Sequence, residues 1–190
     1  MPVEYRLTRT GTLPVGIHGR RIICCLCPDT NTWDKGLDDF AALFPDAKTR
    51  YLEQAQNKPP RLGQVIFCKG EDEDTLIADM VCRKDKPDMY DSDVHFGYLY
   101  SCFLQVVLKG LQANASGVVS VPGVNFREWQ WRKLIPVLKH SIEMTSIRDD
   151  STGNIKDKVV TAIVCSPYDL IPYDKELNEA TAKRKATRTR

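Results

Sequence analysis

A polar loop that follows an apolar segment carries the residue types best suited to hold a phosphate. Residues 22–27 form a nearly continuous apolar run, and residues 36–44 show the apolar spacing of a helix. The start of a helix offers unpaired N–H groups to an anion, and the segment adds short polar side chains and a lysine. An ordinary capped turn is the alternative interpretation. The candidate ligand-binding residues of this segment, called loop one, are Thr30, Asn31, Thr32, Trp33, Asp34, Lys35 and Gly36.

A second loop has the same position relative to its own strand and helix. Residues 118–121 predict a short strand that ends at Pro122. Residues 127–144 predict a helix that tolerates, or kinks at, Pro136. The candidate ligand-binding residues between them, called loop two, are Gly123, Val124, Asn125 and Phe126.

Strands alternate with helices over most of the chain. This order indicates an α/β fold whose mixed or parallel sheet is covered by helices on both faces. In such sheets ligands bind beyond the carboxyl ends of the strands, where both loops are expected. The predicted strands are 5–13, 21–27, 64–69, 75–82, 118–121 and 158–165, and the predicted helices are 36–44, 46–56, 94–114 and 127–144.

Several short motifs occur in a recognisable order between residues 5 and 168. They are Gly11-Thr12-Leu13, loop one, Phe44-Pro45 with Tyr51, Leu62-Gly63, Val119-Ser120-Val121-Pro122, and Phe126-Arg127-Glu128-Trp129-Gln130-Trp131. Their order and spacing resemble those of the macrodomain family, closest to the branch with small ADP-ribose glycohydrolases and ADP-ribose 1''-phosphate phosphatases. The resemblance implies a three-layer α/β/α domain with a mixed sheet over residues 1–173.

The resemblance also implies a ligand, namely ADP-ribose or a related adenine nucleotide. Thr12 stands where the family has the acid that reads adenine, so that carboxylate is missing. Tyr168 follows the last strand and is placed to stack on adenine, while Trp33 and Phe126 are placed to close over the ribose side. Packing of these aromatic rings against the domain's own surface is the alternative interpretation.

The phosphate-binding loops depart from the family's pattern. The family's three-glycine run is replaced by Asp34-Lys35-Gly36, and loop two is shorter and keeps only Gly123. Backbone N–H groups cradle a diphosphate best where no side chain intrudes, and the Asp34 carboxylate would repel it. We therefore expect a phosphate cradle that is narrower, differently charged or absent.

Catalytic residues can be named only through the same resemblance. One glycohydrolase branch uses a lysine just after the strand that ends here at Cys82, where Lys84 stands beside Arg83. Lys84 could attack the anomeric carbon of ribose if burial made it a neutral amine, and an exposed surface lysine is the alternative. The phosphatase branch has a histidine where Cys25 sits, and an aspartate for which the candidates by position are Asp85, Asp88 and Asp91.

The seven cysteines are predicted to be buried free thiols. Cys24, Cys25 and Cys27 lie in one apolar run, and Cys82 and Cys165 end two others. No Cys/His cluster has zinc spacing, so the sequence predicts no disulfide, no metal site and no cofactor. This pattern is typical of a cytoplasmic or nuclear protein. The sequence contains no window of about 18 consecutive apolar residues, so it predicts no membrane span and no membrane partner.

Residues 174–190 are predicted as a basic, disordered C-terminal tail. The last eight residues contain five basic side chains and no acid. A solvated tail is the first interpretation, and contact with nucleic acid or protein, or a nuclear-import signal, is the alternative.

Two functions from different classes follow. The first is an ADP-ribose (or related nucleotide) binding domain with weak hydrolysis of ADP-ribosyl linkages, which if active would be an ADP-ribosyl hydrolase or an ADP-ribose 1''-phosphate phosphatase. The second is a catalytically inactive macrodomain-like module that serves protein or nucleic-acid interaction. The altered loops and the missing carboxylate at Thr12 favour binding without turnover, because function depends on the site rather than on the fold.

Overall fold

Six strands and five α-helices occur in the residues that the computed structural model describes, which are 3–7, 19–70, 72–84, 94–113, 116–119, 128–150, 162–166, 168 and 170–188. The strands are β1 (Val3–Leu7), β2 (Arg21–Pro28), β3 (Val65–Lys69), β4 (Thr75–Arg83), β5 (Ser116–Val119) and β6 (Ala162–Ser166). The helices are α1 (Asp38–Leu43), α2 (Pro45–Asn57), α3 (Phe96–Ala113), α4 (Glu128–Asp150) and α5 (Ile171–Arg188), and a 3-10 turn (Lys35–Leu37) precedes α1.

The strands form one mixed sheet in the order β1-β6-β5-β2-β4-β3. Every neighbouring pair is parallel except β3 and β4, which form an antiparallel hairpin at the edge. From the resemblance we expected residues 22–27, 118–121 and 159–165 to contribute neighbouring strands of one sheet, and the adjacency of β2, β5 and β6 confirms this. Because these strands and β4 run in the same direction, their carboxyl ends meet at one edge of the sheet.

Helices cover both faces of the sheet, which confirms the three-layer α/β/α prediction. β2 is buried on both faces, and its side chains alternate between the two cores. The first face packs against α3, α4 and α5, through residues that include Leu99, Phe103, Trp131, Leu134 and Leu170. The second face packs against the 3-10 turn, α1 and α2, through Leu37, Phe40, Ala47 and Tyr51.

The carboxyl-terminal segment differs from the sequence-based prediction. Residues 171–188 form helix α5 where we expected proline-broken chain and a disordered tail. Pro172 lies in the first turn of that helix, where a missing N–H removes no intrahelical hydrogen bond. Tyr173 and Leu177 pack against the first core, and Lys139 of α4 pairs with Asp174. These tertiary contacts, which a local pattern does not reveal, account for the helix.

Other element boundaries shift by a few residues. The predicted helix 36–44 is divided into the 3-10 turn and α1, and α4 runs beyond the predicted end to Asp150. α4 contains Pro136 in its interior without ending there, as predicted. The first strand, β1, starts earlier than predicted, at Val3, and residues 8–13 lie outside the described part of the chain.

All seven cysteines lie in described segments, and each is a buried free thiol. None of the helices that the structure describes combines the length and the apolar character that a membrane crossing requires.

Asp79 is an unusual residue in the middle of β4. Its side chain is 0% exposed, and neither carboxylate oxygen has a hydrogen-bond partner among the described residues. Burial raises the pKa of Asp79 from 3.8 to about 8, against an opposing influence of the neighbouring Cys27 thiol. The carboxyl group is therefore held in its protonated form at neutral pH, because a buried charge without a partner is costly.

The protonated state of Asp79 predicts a pH-dependent stability. The folded chain keeps this proton up to about pH 8, whereas the unfolded chain releases it near 3.8. Between these values the folded state binds one more proton, so Asp79 makes the free energy of unfolding fall by about 1 kcal/mol per pH unit as pH rises. Urea unfolding with EDTA present, at several pH values, should show this slope reduced by that amount in Asp79→Asn.

Asp39→Asn is the matched control for that measurement. Asp39 is exposed on α1, so its replacement makes the same Asp-to-Asn change without altering the buried group. Equal slopes in the wild type and in Asp79→Asn would contradict a protonated Asp79.

Tyr51 connects α2 to the end of β2 and yields a second prediction. Its buried hydroxyl donates to the Pro28 carbonyl oxygen at 2.5 Å and also lies 3.0 Å from the Thr30 carbonyl oxygen. Tyr51→Phe leaves those carbonyls without their donor, so we expect a loss of about 1–3 kcal/mol in the free energy of unfolding. Tyr98→Phe, at a 39% exposed tyrosine, should change it by less than about 0.5 kcal/mol. Similar losses in both variants would contradict the anchoring role.

Candidate functional site

Loop one begins at the carboxyl end of β2, and the Tyr51 hydroxyl hydrogen-bonds to backbone carbonyl oxygens at its start. The register between β2 and β4 shifts at Cys27/Pro28, so the two strands separate where the loop begins. Irregular pairing of this kind is common beside functional sites. Within the loop the Thr30 hydroxyl donates to the Thr32 carbonyl oxygen at 2.6 Å. The loop is therefore ordered by its own contacts, and the Thr30 side chain already has a partner.

Asp34 occupies the position where the resemblance implies a bare glycine. Its carboxylate accepts a hydrogen bond from the Gly36 N–H at 2.9 Å and caps the 3-10 turn. The Arg83 guanidinium donates to the other carboxylate oxygen at 2.7 Å. Both side chains are largely buried, with 13% of Arg83 and 25% of Asp34 exposed. An internal anion therefore uses one of the backbone donors that a phosphate would need.

The charge of Asp34 is stabilised where it stands. Partial burial acts to raise its pKa, but the Gly36 N–H and the Arg83 guanidinium outweigh burial and hold that pKa below the usual value. The expected repulsion of a diphosphate by Asp34 is accordingly offset by the positive charge of Arg83, which lies within hydrogen-bond distance.

Trp33 is partly buried and packs against the second core. Its ring meets Tyr51 edge to face, with 5.5 Å between the ring centroids. Much of the Trp33 ring therefore packs against the domain itself, as the alternative interpretation expected. Its indole N–H is a buried donor without a partner among the described residues.

The structure brings several predicted site residues to one edge of the sheet. Loop one follows β2, Lys84 follows β4 and Tyr168 follows β6, and these three strands are parallel. Asn31, Thr32, Lys35 and Gly36 are exposed, Lys84 is half-buried, and Tyr168 is 39% exposed. β5 lies between β2 and β6, which separates Tyr168 from loop one by two strand spacings, roughly 10 Å.

Other predicted site residues lie outside the described part of the chain. They are Thr12, the loop two residues Gly123, Val124, Asn125 and Phe126, and the alternative acids Asp85, Asp88 and Asp91.

Sequence reasoning assigned no role to Arg83 as the partner of Asp34 or to Asp79. Arg83 ends a strand that neighbours and parallels β2, so its side chain emerges beside loop one. A polar residue inside the apolar run of β4 was the available signal for Asp79. Trp131, at the end of the last motif, is 2% exposed and packs in the first core.

A cavity of about 620 Å³ lies between α2 and the β3–β4 hairpin, and loop one contributes nothing to it. Its lining mixes charges of both signs, from Asp46, Arg50, Glu53 and Lys69, with the apolar side chain of Ile66. Because it lies away from loop one and Lys84, we place the candidate site at the carboxyl edge of the sheet instead.

Solved structures with a similar fold include several macrodomains. The macrodomain protein from Streptomyces coelicolor aligns with a TM-score of 0.62 at 16% identity, covering 86% of this chain and 98% of that one. The macrodomain of Mycobacterium tuberculosis DarG aligns with a TM-score of 0.60 at 14% identity, covering 87% and 98%. The Oceanobacillus iheyensis macrodomain with MES bound aligns with a TM-score of 0.60 at 14% identity, covering 95% and 93%.

Sequence comparisons give no further assignment. No protein-family model matches the chain, and no curated protein matches it. The structural likeness covers nearly the full length of each neighbour, and it agrees with the strand order and layers described above. The chain therefore has the macrodomain fold.

Proposed function

We propose that this chain binds ADP-ribose or a related adenine nucleotide at the carboxyl edge of its sheet, with weak or no hydrolysis of ADP-ribosyl linkages. The observation that carries the proposal is the alignment of loop one, Arg83–Lys84 and Tyr168 along that edge of a macrodomain fold. The structural neighbours support an ADP-ribose-type ligand for the fold, and the residues at this edge supply chemistry that suits one.

Arg83 and Lys35 are the groups suited to the diphosphate. A guanidinium can donate two parallel hydrogen bonds to a phosphate, so Arg83 can exchange the Asp34 carboxylate for a ligand phosphate. Lys35 is exposed at the same loop and adds a second positive charge. The Gly36 N–H becomes available to the ligand only when the Asp34 side chain moves away from it.

The adenine and ribose ends fit the remaining groups. Tyr168 presents a partly exposed ring two strands away from loop one, at a distance that the length of ADP-ribose can span. Stacking on an aromatic ring tolerates any base, so it supports adenine nucleotides as a class. The unpartnered Trp33 indole N–H is a donor for a ligand oxygen beside loop one.

Weak turnover follows from the loop chemistry. Cleavage at the anomeric carbon requires the diphosphate to be held still against bare backbone donors. Here Asp34 already takes the Gly36 donor, and any ligand must first break the Asp34–Arg83 pair. Part of the binding energy is therefore used to reorganise the loop rather than to position the reacting atoms.

Calorimetric titration with ADP-ribose tests the proposal, and Asp34→Gly sharpens it. We expect the wild type to bind with a Kd below the millimolar range. Asp34→Gly removes the internal anion that competes with a phosphate for the Gly36 N–H and the Arg83 guanidinium, so its affinity should rise by about tenfold, equivalent to about 1.4 kcal/mol. The readout is the ratio of the two Kd values.

Asp38→Asn is the matched control for charge. Asp38 is an exposed acid four residues along the chain that pairs with Lys48 instead of Arg83. It should leave affinity within about twofold, because exposed pairs contribute little. Absence of heat and of any thermal shift with adenine nucleotides, in the wild type and in Asp34→Gly, would favour the alternative of a module that contacts protein or nucleic acid.

Lys84 remains the proposed nucleophile if any turnover occurs. It follows β4 at the same edge as loop one and is half-buried. Lys84→Ala should then abolish release of ADP-ribose from an ADP-ribosylated protein while changing ADP-ribose affinity by no more than a few-fold, because the residue acts on the reacting carbon.

Borohydride supplies an independent measurement for Lys84. Reduction during turnover should trap a ribosyl adduct on this lysine, as expected of a Schiff base. Lys58→Ala, at an exposed lysine after α2, is the control. Robust turnover that survives Lys84→Ala would show that another group, such as Asp85, Asp88 or Asp91, performs the chemistry.

A further inference from the structure

A cluster of two thiols and one carboxyl group lies in the second core, directly below loop one. Cys25 and Cys27 are two residues apart on β2 and point to the same face, and Asp79 is the register partner of Cys25 on β4. All three residues are 0% exposed. One sulfur from each cysteine and one oxygen from Asp79 lie within 4.8 Å of one another.

We propose that Cys25, Cys27 and Asp79 form a binding site for Zn²⁺. The site lies apart from the nucleotide site and does not depend on what loop one binds. Thiolate and carboxylate are both established zinc ligands, and three such ligands with one remaining position make a tetrahedral set. Among the described residues no further histidine, cysteine or acid joins this group, which leaves the fourth position to a water molecule.

The distances suit a metal ion of this size. The Cys25 and Cys27 sulfurs are 3.9 Å apart. Two sulfurs bound to one tetrahedral zinc at about 2.3 Å lie about 3.8 Å from each other. Three atoms within 4.8 Å of one another have a common centre no more than about 2.8 Å from each, so shifts of about half an ångström reach bonding distance.

The unpartnered carboxyl group of Asp79 is a second and independent indication of a ligand. Its two oxygens have no hydrogen-bond partner among the described residues, although its side chain is fully buried. Buried polar groups in proteins are nearly always paired with protein, water or an ion. A cation between Asp79 and the two sulfurs gives this carboxyl group the partner that the protein itself does not supply.

The same sulfur geometry does not suit a disulfide. A bridge needs its sulfurs at about 2.05 Å, and Cα atoms two residues apart on a strand lie near the upper limit of the separation that a bridge tolerates. Zinc instead binds both sulfurs as thiolates and Asp79 as a carboxylate, and the two thiol protons and the Asp79 proton pass to solvent on binding. Because the cluster lies beneath α2, we expect the ion to enter as the chain folds.

Metal content of the protein purified from cells, without affinity tags or chelators, is the first measurement. We expect about one zinc per wild-type chain by mass spectrometric metal analysis. Cys25→Ala and Cys27→Ala should each lower that content by about tenfold or more, because each removes a direct ligand. Asp79→Asn should weaken zinc affinity in a competition titration by about tenfold or more.

Cys24→Ala is the matched control. Cys24 directly precedes Cys25 on β2 and is equally buried, but it faces the first core, away from Asp79. Its zinc content should equal that of the wild type. A loss of zinc in Cys24→Ala equal to that in Cys25→Ala would show a general effect of damaging β2 and would overturn the assignment.

Two measurements on the wild type keep the proposal testable if the variants fail to fold. Metal-free protein refolded with Co²⁺ should develop a sulfur-to-cobalt charge-transfer band that saturates at about one equivalent. Zinc should also protect Cys25 and Cys27, but not Cys24, from alkylation in mild urea, as read by peptide mapping. Absence of the cobalt band together with equal alkylation of all three cysteines would refute the site.

Discussion

The parallel pairing of β2 with β4 determines which groups meet on the functional side of the molecule. Cys25 pairs with Asp79, and after a one-residue shift Pro28 pairs with Arg83. Because the strands run in the same direction, Arg83 emerges where loop one begins and reaches Asp34. The same register sets a carboxyl group beside two thiols. A slip by one residue would turn Asp79 toward the opposite core, so both arrangements depend on this register.

The charge of Asp34 in loop one is compensated by two donors of the fold. The Gly36 N–H and the Arg83 guanidinium together outweigh the cost of partial burial and keep Asp34 charged. Loop one thus contains a matched pair of charges before any ligand arrives. Under the proposed function, an entering phosphate would exchange partners with Asp34, and its affinity would depend on the difference in binding between two anions rather than on the total attraction of one.

The parts of this structure that sequence predicts are those with local signals. Apolar periodicity and strand–helix alternation predict the strands, the helices and a sheet covered on both faces, because each signal lies within one element. The Arg83–Asp34 pair joins residues 49 positions apart, and only the strand order brings them together. Asp79 is hidden in an apolar run, and α5 depends on contacts with α4 and the first core. No local pattern shows that Asp79 lies beside two thiols or that residues 171–188 form a helix.

The side chain of Tyr51 links the buried cluster of Cys25, Cys27 and Asp79 to loop one. Burial raises the pKa of the Tyr51 phenol, so this group remains a neutral donor. Its hydroxyl holds the Pro28 and Thr30 carbonyls, and its ring supports Trp33. A close-packed interior transmits displacement instead of absorbing it. A shift of the Cys27 sulfur toward a bound ion would therefore reach the Pro28 carbonyl, and with it loop one, through the residue directly after Cys27 and through Tyr51.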